Sequence, residues 1–288
     1  MKKNTQKNEP VSTALLLAAG TGSRLYPLTK NEPKCMTIVN GRSILERMVS
    51  SLKRQGFKRL VIVTGHLEHC IRDFLGDQSG ELFIEYIFSP LYKTTNNIYS
   101  LWMARKIIRE PFLLLESDLV FDDSLLSEMI YPDRIAVAAM QPWMNGSCVT
   151  IDHSAMVDTF EMGDHEVSVQ DRYKTVNIYS FSLESWKKII KNLDKQISSG
   201  NVNSYYEIVF AEMVSDNNLS FQSVSFDSKP WYEIDTLEDL VLAEKIIPSQ
   251  PHKTGKTSYQ PKQIPHYQKL IHTSSTPKVA ERGLHASK

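Results

Sequence analysis

The chain has 288 residues, with 33 Lys plus Arg against 33 Asp plus Glu and 41% hydrophobic residues. That length buries a large core, as one domain or one domain plus appendages. The zero net charge removes any global reason to expect nucleic acid or a membrane surface as partner. No apolar run reaches the ~20 residues of a membrane helix, and MKKNTQKNEP lacks the apolar segment of a signal peptide.

Residues 1–11 are polar and read as a flexible N-terminus. Ala14 to Ala19 is an apolar run that predicts a buried parallel strand. It breaks at Gly20 into a loop with Thr21, Gly22, Ser23 and Arg24. Two glycines let backbone N–H groups close on an anion, the geometry of a phosphate nest. Arg24 adds a planar cationic fork, and Lys34 follows a proline that stiffens its approach. Position 25 is Leu, not the third Gly of a dinucleotide fingerprint. Gly22-Ser23-Arg24 is not the Gly-Lys-Ser/Thr of a Walker loop.

Further along, Ser43 with Glu46 three residues on predicts a capping box, opening a helix that Gly56 ends. Strands are expected at 58–64, 82–88 and 112–115, and helices at 67–75 and 98–108. This alternation implies an open, mostly parallel sheet with helices on both faces, a Rossmann-like arrangement with ligands beyond the carboxyl ends of the strands. The second half is richer in strand, at 135–140, 148–152, 156–160 and 175–181. Helices at 183–197 and 205–214 follow, then strands near 221–225 and 231–235. Thr236, with Asp239, caps a last helix. The folded domain is expected over 12–248. Residues 249–288 hold four prolines and seven basic residues against one acid, leaving +6 on the tail and −6 on the rest. Such a segment reads as a basic linker or disordered tail. Cys35, Cys70 and Cys148 show no paired spacing, which suggests free thiols in a reducing cytoplasm.

Asp118 follows an apolar strand and Asp235 ends the segment WYEID just before a helix, so each carboxylate stands at an element end. Read alone, Asp118 is equally a solvated loop acid, and Asp235 a helix N-terminal acid favoured by the macrodipole. Glu116 reads either as support for Asp118 or as a structural acid. Asn96-Asn97-Ile98-Tyr99-Ser100-Leu101 places two amides at a helix start, where Asn caps well and also offers donors and acceptors to a base or ribose.

The sequence LAAGTGSRLYPLT followed by EPK resembles the signature of nucleotidyltransferases that join a nucleoside triphosphate to a phosphorylated small molecule. NNIYSL and YEID are similar to the branch of cytidylyltransferases that activate phosphocholine or 2-aminoethylphosphonate. Together these motifs span about residues 13–247. The resemblance implies a reaction in which an acceptor phosphate or phosphonate oxygen attacks the α-phosphorus of CTP and pyrophosphate leaves. It implies Ala18, Ala19, Gly20, Thr21, Gly22, Asn96 and Asn97 at the nucleotide, and Lys34 and Arg24 at the reacting phosphates. It implies Mg²⁺ on Asp118 and Asp235. No general base is required, because the attacking oxygen is already anionic.

For the acceptor, Tyr205, Glu207 and Tyr179 are the candidates, from a wider set that includes Trp143, Tyr173, Tyr206, Trp231, Tyr232 and Glu233. The phosphocholine enzymes carry an acid and a Trp where this chain has Gly146 and Ser147. That departure weakens a trimethylammonium cage and favours a primary amine, as in 2-aminoethylphosphonate. The tail also fits a linker to a fused or associated aminotransferase, as in the phosphonate branch. Two alternatives stay open: a sugar-1-phosphate nucleotidyltransferase using UTP or dTTP, and a non-catalytic nucleotide-binding module.

Overall fold

The computed structural model describes residues 10–141, 144–163 and 172–249. Trp143, residues 1–9 and the tail from 250 onward lie outside the described residues. The first half contributes β1 (Thr13–Ala18), β2 (Ile38–Val39), β3 (Arg42–Ser43), α1 (Ile44–Arg54), β4 (Arg59–Thr64) and α2 (Glu68–Leu75). It continues with β5 (Gln78–Ser79), β6 (Leu82–Phe88), α3 (Asn97–Ala104) and β7 (Phe112–Glu116). The second half contributes β8 (Leu119–Phe121), β9 (Arg134–Ala139), β10 (Cys148–Ile151), β11 (Val157–Glu161), β12 (Tyr173–Phe181) and α4 (Leu183–Ser198). α5 (Glu207–Ser215), β13 (Gln222–Ser225), β14 (Trp231–Glu233) and α6 (Leu237–Ile246) complete it.

One mixed sheet runs β11-β10-β12-β7-β1-β4-β6-β5, with β9 also paired to β12 and β13 to β9. β7, β1, β4 and β6 are parallel neighbours. Every residue of β1 is buried, as a central strand covered on both faces requires. Leu15, Leu17, Val61 and Val63 pack into one cluster with apolar residues of α3, α4 and α5. Leu16, Ile62 and Leu113 are as deeply buried but stand outside that cluster, on the opposite face. Beyond β7 the sheet turns antiparallel through β12, β10 and β11.

Most element boundaries match the pattern read from the sequence to within a residue or two. α3 stops at Ala104, four residues short of the expected 108. Ser43 caps α1 by accepting from the Glu46 backbone N–H at 3.1 Å, but the Glu46 carboxylate turns to Arg42 instead of closing the box. A partly buried ion pair outcompetes the reciprocal cap. Val11, expected in the flexible stretch, is buried, and its N–H donates to the Ile130 carbonyl at 2.7 Å. β8 had no separate signal in the sequence, and it decides the geometry described next.

Candidate active site

A cleft of about 300 Å³ opens beyond the carboxyl ends of β1 and β7. Its first wall is the loop after β1. Gly22 has φ 62°, and a Cβ there would lie 2.9 Å from Thr29 Cγ2 and 3.1 Å from Lys34 Cβ. Glycine is therefore required both for backbone conformation and for the close approach of the Lys34 stem. A Cβ at Gly20 would meet nothing within 4 Å. That space is open for a ligand. Ala19, Gly20, Gly22, Ser23 and Arg24 line the cleft. Ala18 is buried in the end of β1, and Thr21 is exposed away from the cleft lining, so neither side chain faces it.

The second wall carries Asp118 and Asp235, which are far apart in sequence. β8 and β14 form an antiparallel ribbon in the register Glu233↔Leu119 and Trp231↔Phe121. The ladder extends one step further, with the Ile234 N–H donating to the Asp118 carbonyl at 2.9 Å. Asp235 therefore emerges beside Asp118. A capping box at Thr236 and Asp239 fixes the start of α6, and Asp239 also accepts from the Asp235 N–H at 3.0 Å.

Lys34 reaches across from the loop and joins the two acids. Its Nζ lies 2.7 Å from Asp118 Oδ2 and 2.6 Å from Asp235 Oδ1. Burial alone would lower the lysine pKa, but the two flanking carboxylates overcome it and hold the ammonium above its usual value. Arg24 Nη2 also meets Asp235 Oδ1 at 2.7 Å, from a largely exposed position. The cleft mouth is thus two carboxylates held together by two cations.

The floor is built from α3, β7, α5 and β12. Asn96, not Asn97, caps α3, accepting from the Asn97 N–H at 2.8 Å. Asn97 donates to Glu116 Oε1 at 3.2 Å and accepts from the Tyr206 N–H at 3.0 Å, so its amide is engaged by the protein at both ends. Both asparagines line the cleft. Tyr205 and Glu207 also line it. Tyr179 does not. It is fully buried and packs on Phe210 at 5.1 Å between ring centroids. The expectation that Tyr179 touches an acceptor fails because β12 turns that residue into the core behind the cleft. Glu233 and Asn177 line the cleft as well. Glu233 belonged to the wider set of acceptor candidates in the sequence, whereas Asn177 carried no signal, because a bulge in β12 rather than a motif aims it inward.

The floor acids are electrostatically strained. Burial, then the nearby charges of Asp118 and Glu207, push the Glu116 carboxyl well above the usual range. Burial pushes Glu207 up to about 7, against the opposing pull of Lys174. Burial also raises Glu233, again opposed by Lys174. A cleft of this kind favours a cationic occupant, which relieves desolvated carboxylates.

The residues present fit a magnesium ion. Among the described residues, no cluster of three or more His, Cys, Asp or Glu side chains stands ready to cage a metal. Asp118 and Asp235 do converge, and Asp118 Oδ1 is buried without a hydrogen-bond partner. Two carboxylates with an orphaned oxygen suit an ion that keeps waters and takes its other ligands from phosphates. No described helix is long and apolar enough to cross a membrane.

Residues 13–140 match the Nucleotidyl transferase family model. The chain is 29% identical over 232 residues to the CMP-5'-(3-aminopropyl)phosphonate synthase of Streptomyces rubellomurinus, a match covering 77% of this chain and 36% of that longer protein. It therefore spans about a third of that relative. It is 23% identical over 239 residues to the choline-phosphate cytidylyltransferase of Streptococcus pneumoniae, covering 82% of this chain and 99% of the relative. The solved structure of the CTP:phosphocholine cytidylyltransferase from Streptococcus pneumoniae superposes with a TM-score of 0.73 at 21% identity, covering 83% of this chain and 100% of that one. The loop after β1 and the parallel strands that carry it thus lie within a segment, residues 13–140, that matches the Nucleotidyl transferase family model.

Proposed function

We propose that the chain is a cytidylyltransferase. It transfers CMP from CTP to a small acceptor that carries a phosphonate or phosphate at one end and an ammonium at the other. 2-Aminoethylphosphonate is favoured, and phosphocholine comes next. The observation that carries this reading is the placement of Lys34, Asp118 and Asp235 on one side of a cleft whose floor holds buried acids. The likeness to cytidylyltransferases of a phosphonate and of choline phosphate supports the choice of CTP.

The chemistry follows from the charges. The triphosphate lies against the open space at Gly20 and the backbone of Gly22, with the Arg24 fork on its phosphate oxygens. One acceptor oxygen, already anionic, forms a bond to the α-phosphorus. The bond from that phosphorus to the bridging oxygen breaks, and pyrophosphate leaves with the electron pair. Lys34 places positive charge where the α-phosphoryl oxygens gain negative charge, so it stabilises the transition state more than the ground state. Asp118 and Asp235 would hold Mg²⁺, which supplies Lewis-acid stabilisation of the phosphates. Asn96 and Asn97 frame the nucleoside side of the cleft. Tyr205 and Glu207 frame the acceptor side.

The free state of Cys35, Cys70 and Cys148 supports a reducing, cytoplasmic setting. The linker-like tail supports a fused or associated aminotransferase by composition alone.

Pyrophosphate release tests the reading. CTP with 2-aminoethylphosphonate, and more weakly with phosphocholine, is expected to support Mg²⁺-dependent turnover. Turnover confined to UTP or dTTP with a hexose 1-phosphate replaces it with the sugar-nucleotide alternative.

A further inference from the structure

Asn177 has a left-handed backbone, φ 58°, inside a β-strand. It lies where β12 changes register against β9, between Thr175 and Tyr179. A bulge of this kind re-aims a side chain, and Asn tolerates the left-handed region better than most residues. The outcome is a carboxamide facing the cleft. Strain held next to a ligand cavity is a reason to ask what the side chain does there.

Its surroundings are specific. Thr175 Oγ1 donates to Asn177 Oδ1 at 3.0 Å. Asn177 Nδ2 donates to Glu233 Oε1 at 3.5 Å. The other Glu233 oxygen faces the buried Lys174 ammonium at 3.4 Å, which holds that carboxylate in place. Glu207 is 5% exposed and also lines the cleft, and its Oε2 is buried without a hydrogen-bond partner. Asn177 Oδ1 keeps a second lone pair beyond the one used by Thr175. Three residues with acceptor oxygens therefore line the same cleft, and one of those oxygens is a buried orphan.

Resting on the cytidylyltransferase reading and going beyond it, we infer that Asn177, Glu207 and Glu233 form a three-acceptor seat for a primary ammonium. Asn177 is the specificity-determining residue that makes the seat prefer an N–H-bearing cation over a fully methylated one. A primary ammonium has three N–H donors to match three acceptors. A trimethylammonium has none. It leaves the buried Glu207 oxygen unpaired, which is costly, and it is held best by aromatic faces. The rings behind the seat are not offered as faces. Tyr179 and Tyr206 are fully buried, each packing against Phe210 with centroids 5.1 Å apart.

The test uses the full chain with CTP and Mg²⁺, comparing 2-aminoethylphosphonate with its N,N,N-trimethyl derivative. The wild type is expected to prefer the primary amine. Asn177→Gly suits the left-handed backbone, so its thermal midpoint stays level or rises. Its KM for the primary amine is expected to rise at least about tenfold, with KM for CTP unchanged and the preference over the trimethyl compound reduced to match. Asn177→Asp keeps an acceptor oxygen and is expected to retain the preference. An Asn177→Gly enzyme with unchanged selectivity overturns the seat while leaving the cytidylyltransferase reading intact. A wild type that releases pyrophosphate only with acceptors lacking an ammonium overturns both.

Discussion

The two ends of the cleft are built in different ways. The proposed nucleotide end rests on parallel β1 and β7 and on one short loop, so most of its groups lie close in sequence, from Ala19 to Lys34, with Asn96 and Asn97 added from the start of α3. The proposed acceptor end is assembled from β12, β14 and the start of α5. Asn177, Glu207 and Glu233 are brought to the same cleft only through tertiary structure. The loop end uses backbone geometry and fixed cations. The other end uses desolvated acids whose charge depends on what they hold. Chemistry common to many acceptors can sit on the rigid loop, while selection among acceptors sits on side chains.

The largest expected effect lies at the junction of the two ends. Lys34→Ala removes the cation between Asp118 and Asp235 and is expected to lower kcat by about 1000-fold or more. Circular dichroism and the thermal midpoint should show a folded protein, because these groups stand at the cleft mouth and not in the core. Near wild-type turnover in that variant would remove Lys34 from the reaction.

The next effect distinguishes the ends by pH. Glu207 is pushed up to about 7 by burial, from the ordinary glutamate value of 4.5. Its folded carboxyl holds a proton that the unfolded chain has already released, so stability falls as pH rises from the lower value through the higher. By linkage, the free protein loses on the order of 3 kcal/mol between these limits from this group. Glu207→Gln is expected to flatten that part of the stability curve. Acceptor binding runs the opposite way. An ammonium needs the ionised form, so KM for the acceptor rises as pH drops below about 7, while KM for CTP does not follow it. Parallel pH profiles for both substrates would contradict a division of labour between the two ends.

How much of this was legible in the sequence follows the same division. The loop, Arg24, Lys34 and the parallel strands could be read because periodicity and local spacing carry them. Asp118 and Asp235 could be paired only through a resemblance, since their meeting depends on the β8–β14 ribbon, and three residues of strand leave no periodic signal. The roles within Asn96-Asn97 depend on which residue adopts the extended cap conformation, and spacing does not encode that. Tyr179 was misplaced because an aromatic at strand spacing looks alike whether it faces core or cleft. Asn177 was invisible because a bulge breaks the alternation that would have assigned its face.

Glycine substitutions sharpen the account of the loop. Gly22→Ala forces a Cβ to within 2.9 Å of Thr29 Cγ2 at a backbone φ of 62°. It is expected to cost about 1–3 kcal/mol of stability and to raise KM for CTP through displacement of Lys34. Gly20→Ala meets no atom within 4 Å and has no left-handed backbone requirement. Its stability should stay within about 0.5 kcal/mol of wild type, with KM for CTP rising alone, because the new methyl group occupies ligand space. If both variants lose stability equally, the open space at Gly20 is not reserved for phosphate.

The smallest expected effect tests how Asp235 is held. Thr236 Oγ1 accepts from the Asp239 N–H at 3.2 Å, and Asp239 Oδ2 accepts from the N–H groups of Thr236 at 2.8 Å and Asp235 at 3.0 Å. Thr236→Ala removes one side of the capping box and is expected to cost about 1 kcal/mol in urea unfolding. The Asp239 carboxylate still grips the Asp235 backbone, so the Mg²⁺ concentration giving half-maximal turnover should stay within about twofold. Asp239→Ala costs similar stability but releases that grip, so the same midpoint should shift further. The pair separates stabilising a helix from aiming a carboxylate. Equal shifts in both variants would mean that α6, and not the Asp239 contact, positions Asp235.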